Sequence, residues 1–291
     1  MVLERIISMA DSRVRLQFIA MQRSLRATGC TLPIEVIPYS DDLFKLPEGC
    51  TWWVNPKIAE WIKAEKAHPT MCKYQCLTVS RYHFTDTDVI FLRNPQEALQ
   101  EQNGFVTSCT EWNKPEWTYT IESRLLFSRR TSTWQQKVFS TGQFACDQTL
   151  YSADDLMKTA QQLAFVETCL RFPIHEQPGL NLLVMETGVP ITNLTLPPYR
   201  MESSWAGDYP GEYEPFWQDP ERKPYLIHWA GPTLEWSLPI NQIFYNFLTR
   251  EEKSEWDEQM RQKIQRRNQQ YERSLSLARR IARRVLKRNR A

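Results

Sequence analysis

Asp86 and Asp88 lie one residue apart in the stretch HFTDTDVIFLRNP (83–95), between an apolar run that ends at Phe84 and another that begins at Val89. A strand entering a buried sheet carries Val, Ile, Leu and Phe rather than acids. Side chains two apart on an extended chain project to the same side. Two carboxylates placed this way beside a core repel each other unless a cation lies between them. The pattern therefore reads as a polar turn or as a metal site. Carboxylate oxygens suit Mn2+ or Mg2+, ions that commonly also hold substrate phosphates. Lys73, one element earlier, is a candidate phosphate contact.

The elements that must position these groups follow from periodicity. RIISMA (5–10) reads as a buried strand, 12–29 as an amphipathic helix closed by Gly29, and LPIEVIPYS (32–40) as a second strand. Strand, helix, strand opens a doubly wound α/β sheet, in which ligands bind beyond the carboxyl ends of strands. Residues 55–66 predict a helix with Asn55 as N-cap and Pro56 at its first position. A helix is expected over 70–80, a strand broken by the acids over 82–92, and strands over 104–111 and, weakly, 122–130. A further strand ends the stretch 132–147. Helices follow over 152–168, with Ser152 as N-cap, and over 176–188. PYLIHWAGP (224–232) predicts a strand ending in His228, and a single helix is expected to begin at Asn241.

Composition bounds the class. The chain has 291 residues, 42% apolar and 24% charged, as in a globular α/β domain with additions. Its seven cysteines show no CxxC pair or zinc-finger spacing and read as reduced, mostly buried thiols of a cytosolic protein. The N-terminal stretch lacks a signal-peptide apolar region, and no stretch has the apolar length of a spanning helix. The expected location is cytoplasmic.

Four stretches, in chain order, carry a resemblance. TDTDVIFLRNP resembles the DxD segment of metal-dependent glycosyltransferases with the GT-A fold. FSTGQFACD (139–147) resembles their F-N-[ST]-G-x-F stretch, with Ser140 in place of Asn. HEQPGLN (175–181) resembles the D-Q-x-x-L-N segment of retaining, glycogenin-like and galactosyltransferase-like members, with Glu176 in place of Asp. IHWAG (227–231) resembles their closing H-x-x-G, although the Lys-Pro-Trp that often follows is absent. The set spans roughly residues 5 to 245.

The resemblance implies a Rossmann-type, mostly parallel sheet flanked by helices over 1–249. It implies a hexosyltransferase-like enzyme that moves a sugar from a nucleotide-sugar, UDP-linked, to an acceptor hydroxyl, with retention of configuration. Asp86, Asp88 and His228 would hold Mn2+ (or Mg2+). Glu176 and Gln177 would act at the donor sugar. Ser8, Ala10, Lys73, Thr87, Thr141, Gly142 and Gly231 would contact the nucleotide or donor. Two rivals stand beside this reading. One is a non-catalytic GT-A-like protein that binds a nucleotide or glycan. The other is a nucleotidyltransferase, which should carry a Gly-rich N-terminal phosphate loop that ISMADSRVRL lacks.

The net charge of +2 conceals a split. Residues 261–291 hold twelve Lys/Arg against one acid, Glu272, which leaves the remainder with 24 basic and 33 acidic residues. Over 271–291 Leu275, Ala278, Ile281, Ala282, Val285 and Leu286 fall on one helical face and six Arg/Lys on the other. A basic amphipathic helix of this kind, here an extension over 250–291, reads as an anchor on an anionic membrane surface, placing the protein at the inner face of a membrane. A packed or oligomerising helix and a non-specific nucleic-acid tail remain open, and no specific nucleic acid is implied.

Overall fold

The computed structural model describes residues 1–162, 176–231 and 233–288, with 272–288 as backbone. The chain divides into two compact units, Met1–Phe247 and Leu248–Ala291.

The first unit is built on a seven-stranded sheet. Its strands are β1 (Arg5–Ala10), β2 (Ile34–Pro38), β3 (Cys50–Trp52), β4 (Tyr82–Thr85), β6 (Phe105–Thr107), β7 (Gln143–Cys146) and β8 (Ile191–Asn193). Their order is β3-β2-β1-β4-β7-β6-β8, while β5 (Val89–Phe91) pairs with β9 (Leu226–His228) in a separate two-stranded sheet. β1 runs parallel to β2 and β4, β2 to β3, and β6 to β8; β7 is antiparallel to both its neighbours. Helices flank this mostly parallel sheet, the Rossmann-type architecture expected from the sequence.

Period-two alternation separates two cores. Ile7 and Met9 of β1 join Tyr82, Phe84, Phe105 and Phe144 on one face. Ile6 and Ala10 join Ile34, Val36, Val89 and Ala145 on the other. A strand buried on both faces has no exposed row to make polar, so past Arg5 the run of β1 is apolar but for buried Ser8. The chain leaves β1 for β2 on one side and returns as β4 on the other. This is the switch point of the doubly wound sheet, and Asp86 follows directly on the carboxyl end of β4 there.

Local signals explain most elements. Asn55 caps the helix Pro56–Ala64, its side chain accepting from Ile58 N, and Gly29 closes the helix Arg15–Ala27 at φ +83°. Ser152 Oγ accepts from Asp155 N at 3.1 Å ahead of the helix Ala153–Gln162; the rest of the expected 152–168 helix lies outside the described residues. Three expectations are corrected. Residues 122–130 belong to a helix, Ile121–Arg130, because Thr120 caps it and Ser123 and Phe127, four apart, turn inward. Residues 69–78 form a 3-10 stretch rather than an α-helix, Pro69–Thr78. The expected single helix from Asn241 is two, Asn241–Tyr245 and Arg250–Arg288.

The second unit is the 39-residue helix Arg250–Arg288, the basic helical extension. A reciprocal cap starts it: Glu252 N donates to Thr249 Oγ1 at 3.2 Å, and Thr249 N donates to the Glu252 carboxylate at 2.8 Å. At 1.5 Å per residue it extends about 58 Å. Among the described residues no helix is long and apolar enough to cross a membrane.

Candidate metal centre and cavity

Backbone pairing brings the acids and the distant histidine together. β5 and β9 pair antiparallel with Val89 opposite His228. Trp229 N donates to Asp88 O at 2.8 Å, and His228 N donates to Ser204 O at 2.7 Å. Asp86 N donates to Gly142 O at 2.8 Å, which ties the acid turn to the stretch before β7. Ligand atoms of Asp86, Asp88 and His228 consequently lie within 4.8 Å of one another. His228 Nε2 is 3.3 Å from Asp88 Oδ1 and 4.0 Å from Asp86 Oδ2. Adjacent ligands of an octahedral Mn2+ or Mg2+, each about 2.1 Å from the ion, sit about 3 Å apart, and opposite ones about 4.2 Å. Two carboxylates and an imidazole at these separations fit a divalent cation of borderline hardness.

Gly142 makes room for the imidazole. A Cβ built there would meet His228 Cε1 at 1.9 Å, so the ring fills the space that any side chain at 142 would need. The glycine of the STG stretch is thus explained by the histidine ring.

Behind the acid pair lies an internal cation. Lys73, 4% exposed, contacts Asp86 at 2.9 Å and Glu176 at 3.3 Å, and donates to Thr141 O at 3.3 Å. Glu176 and Gln177 open the helix Glu176–Glu186. Thr141 fastens both: its hydroxyl donates to Glu176 Oε1 at 3.1 Å and its N–H to Gln177 Oε1 at 3.2 Å. Gln177 Nε2 donates to the Tyr119 hydroxyl at 3.1 Å. Four residues on, fully buried Asn181 takes the Phe139 N–H and donates back to the Phe139 carbonyl, both at 2.9 Å. The Glu-Gln pair is thereby locked to the 139–142 stretch that also carries Gly142.

The charges are coupled. Burial disfavours the Lys73 ammonium, but Asp86 and Glu176 outweigh it and raise its pKa. Burial alone would raise Glu176; Lys73 first, then hydrogen bonds, hold it below the ordinary carboxylate value. For Asp86 burial prevails over Lys73 and, with Asp88 repelling it, the pKa rises. Burial opposes the His228 imidazolium, yet Asp88 and then Asp86 lift the pKa above its ordinary value.

A cavity of about 1200 Å3 is lined by Asp86, Asp88 and His228, by Thr141, Gly142 and Gly231, and by Glu176 and Gln177. Four other residues singled out from the sequence are not on its wall. Ser8 and Ala10 are fully buried in β1, Thr87 is buried in the acid turn, and Lys73 is turned toward the carboxylates. Among the wall residues that the sequence did not single out is an acid. Glu111, past the carboxyl end of β6, is half-buried; burial raises its pKa against hydrogen bonds from Cys109 and Ser140. Its position beyond a strand's carboxyl end was the available signal.

Six of the seven cysteines are free thiols, and the seventh, Cys169, lies outside the described residues.

No protein-family model matches the chain, and no curated protein matches it. Among solved structures it is similar to the glycosyltransferase GlyE of Streptococcus pneumoniae, at 11% identity and a TM-score of 0.50, over 91% of this chain and 64% of that one. It is also similar to the bifunctional glycosyltransferase WbbM, at 12% identity and a TM-score of 0.49, over 84% of this chain and 51% of that one. The chain thus spans 64% and 51% of the lengths of these two proteins. At such identities the likeness to GlyE is one of fold. Sheet order and switch point define a GT-A-type α/β fold that carries a basic helical extension, and Asp86, Asp88 and His228 form a candidate metal centre within the fold.

Proposed function

We propose that the chain is a metal-dependent, hexosyltransferase-like enzyme that moves a sugar from a UDP-linked donor to an acceptor hydroxyl with retention of configuration. The observation that carries this reading is the convergence of Asp86, Asp88 and His228, from segments 140 residues apart, on one wall of a large cavity. These three residues would hold Mn2+ or Mg2+. Bound there, a divalent ion supplies positive charge to the leaving diphosphate as the glycosidic bond breaks.

The chain's own residues do the rest. Lys73 neutralises Asp86 and Glu176 from behind and holds both at fixed positions. Glu176 and Gln177 present an acid and an amide to the donor sugar, their orientation set by Thr141 and Tyr119. Thr141, Gly142 and Gly231 contribute the adjoining wall. Residues 1–249 form the catalytic domain, and 250–291 the basic extension that meets an anionic membrane surface from the cytoplasmic side.

A second reading is favoured by Lys73. An internal ammonium at 2.9 Å already satisfies Asp86 without a metal, as in a GT-A-like protein that binds a nucleotide or glycan without turnover. Incubation with a panel of UDP-sugars and Mn2+ decides between them. Release of UDP and free sugar, absent in Asp88→Ala and with chelator, supports the enzyme. UDP binding without turnover of any donor supports the binding protein.

A further inference from the structure

The cavity of about 1200 Å3 exceeds the ~300–1000 Å3 common for one small ligand. The metal cluster and the Glu176–Gln177 pair take up only part of its wall. Much of the remainder comes from two loops, 109–118 after β6 and 195–222 between β8 and β9. Each sets an open aromatic ring beside hydrogen-bonding groups. Trp117 is 71% exposed and Phe216 52%. Neither ring hangs free: Lys114 Nζ lies 4.2 Å from the centre of the Trp117 ring, and Phe216 packs edge-on against Tyr209 at 5.7 Å. Tyr209 is in turn buried, its hydroxyl donating to Ser203 O at 2.6 Å.

The charges that these loops bring to the cavity wall balance, with Glu111, Glu202 and Asp208 against Lys114, Arg200 and Arg222. A balanced wall does not select a polyanion. Acids and an amide, Glu111, Asn113, Glu202 and Asp208, lie among the aromatic residues of this wall. What fits is a neutral ring with apolar C–H faces and hydroxyl edges, since rings stack the faces and carboxylates accept from the hydroxyls. Glu111 lies on the wall with Ser140 of the 139–142 stretch, where the two parts meet.

Building on the transferase reading, we infer that these two loops form the acceptor subsite, that its ligand is a neutral saccharide stacked on Trp117 and Phe216, and that Glu111 orients the incoming hydroxyl. The test uses the full chain with UDP and Mn2+ present and saturation-transfer NMR against maltohexaose, cellohexaose and chitohexaose. At least one hexasaccharide should bind, and about tenfold more weakly in Trp117→Ala and in Phe216→Ala, the loss expected for one buried aromatic contact. Both rings are exposed, so both variants should keep the wild-type denaturation midpoint. Metal-dependent UDP binding with no hexasaccharide bound overturns the inference and leaves the transferase reading standing. Hexasaccharide binding without any UDP binding keeps the sugar subsite and sinks the transferase reading. Saccharide binding untouched by both substitutions overturns the placement, and affinity for alkyl glucosides that grows with chain length overturns the ligand class.

Discussion

Lys73→Met removes the ammonium while keeping a stem of similar length, and so leaves Asp86 and Glu176 without their shared cation. Stripping one partner from a buried ion pair costs about 3–5 kcal/mol. Asp86 retains 25% of its side-chain exposure, against 10% for Glu176, so water screens part of the loss. The expected cost is roughly 2–3 kcal/mol, read as a lower urea midpoint at unchanged slope. Metal should reverse it. In the wild type an ion must share Asp86 with Lys73; in the variant it meets an uncompensated acid pair. Mn2+ at about a hundred times its Kd adds about 2.7 kcal/mol to any state that binds it, and the variant should gain at least as much as the wild type. A variant as stable as the wild type without metal would refute the claim that Lys73 carries these carboxylates. A loss that Mn2+ leaves untouched would refute the claim that the acids it releases form a metal site.

Three further outcomes follow from the same geometry. Gly142→Ala places a Cβ 1.9 Å from His228 Cε1, so the ring must swing away; Mn2+ affinity by isothermal titration should fall about 10–100-fold, at a stability cost of about 1–3 kcal/mol. The raised pKa of His228 has two consequences of opposite sign. Without metal, its pairing with Asp88 contributes stability that is full below the ordinary histidine value and lost as pH rises through the folded pKa. With metal, the proton competes for Nε2, so Mn2+ affinity should fall as titrations move from about pH 8 to about pH 6, and less steeply in His228→Ala. Asn181→Ala leaves the buried Phe139 N–H without its acceptor and should cost about 2 kcal/mol by urea denaturation, with donor hydrolysis reduced because the 139–142 stretch loses its tie to Glu176–Gln177.

The parts of the site that are local in sequence were legible there. A polar interruption at the end of a buried strand identified Asp86 and Asp88, and an apolar run ending in an imidazole identified His228. Their meeting was not derivable from periodicity, because the β5–β9 pairing joins segments far apart in the chain; only the ordered resemblance predicted it. Lys73 was expected to meet a phosphate from an α-helix over 70–80. The 3-10 stretch Pro69–Thr78 puts it on the inner side, where two carboxylates outweigh the cost of burying it. Residues 122–130 looked like a strand because Leu125, Leu126 and Phe127 run together, yet the cap at Thr120 was already present in the sequence. The Thr249–Glu252 capping box likewise marked the start of the long helix, and reading through it merged two helices into one.

In the proposed enzyme Asp86, Asp88 and His228 hold a metal against a nucleoside diphosphate. Isothermal titration of the full chain with UDP, GDP, ADP and CDP, with and without Mn2+, tests it most directly. UDP should bind only with Mn2+, and not to Asp88→Ala. Metal-independent binding, or no nucleotide bound under either condition, would make the acid pair a structural turn neutralised by Lys73 rather than a metal site.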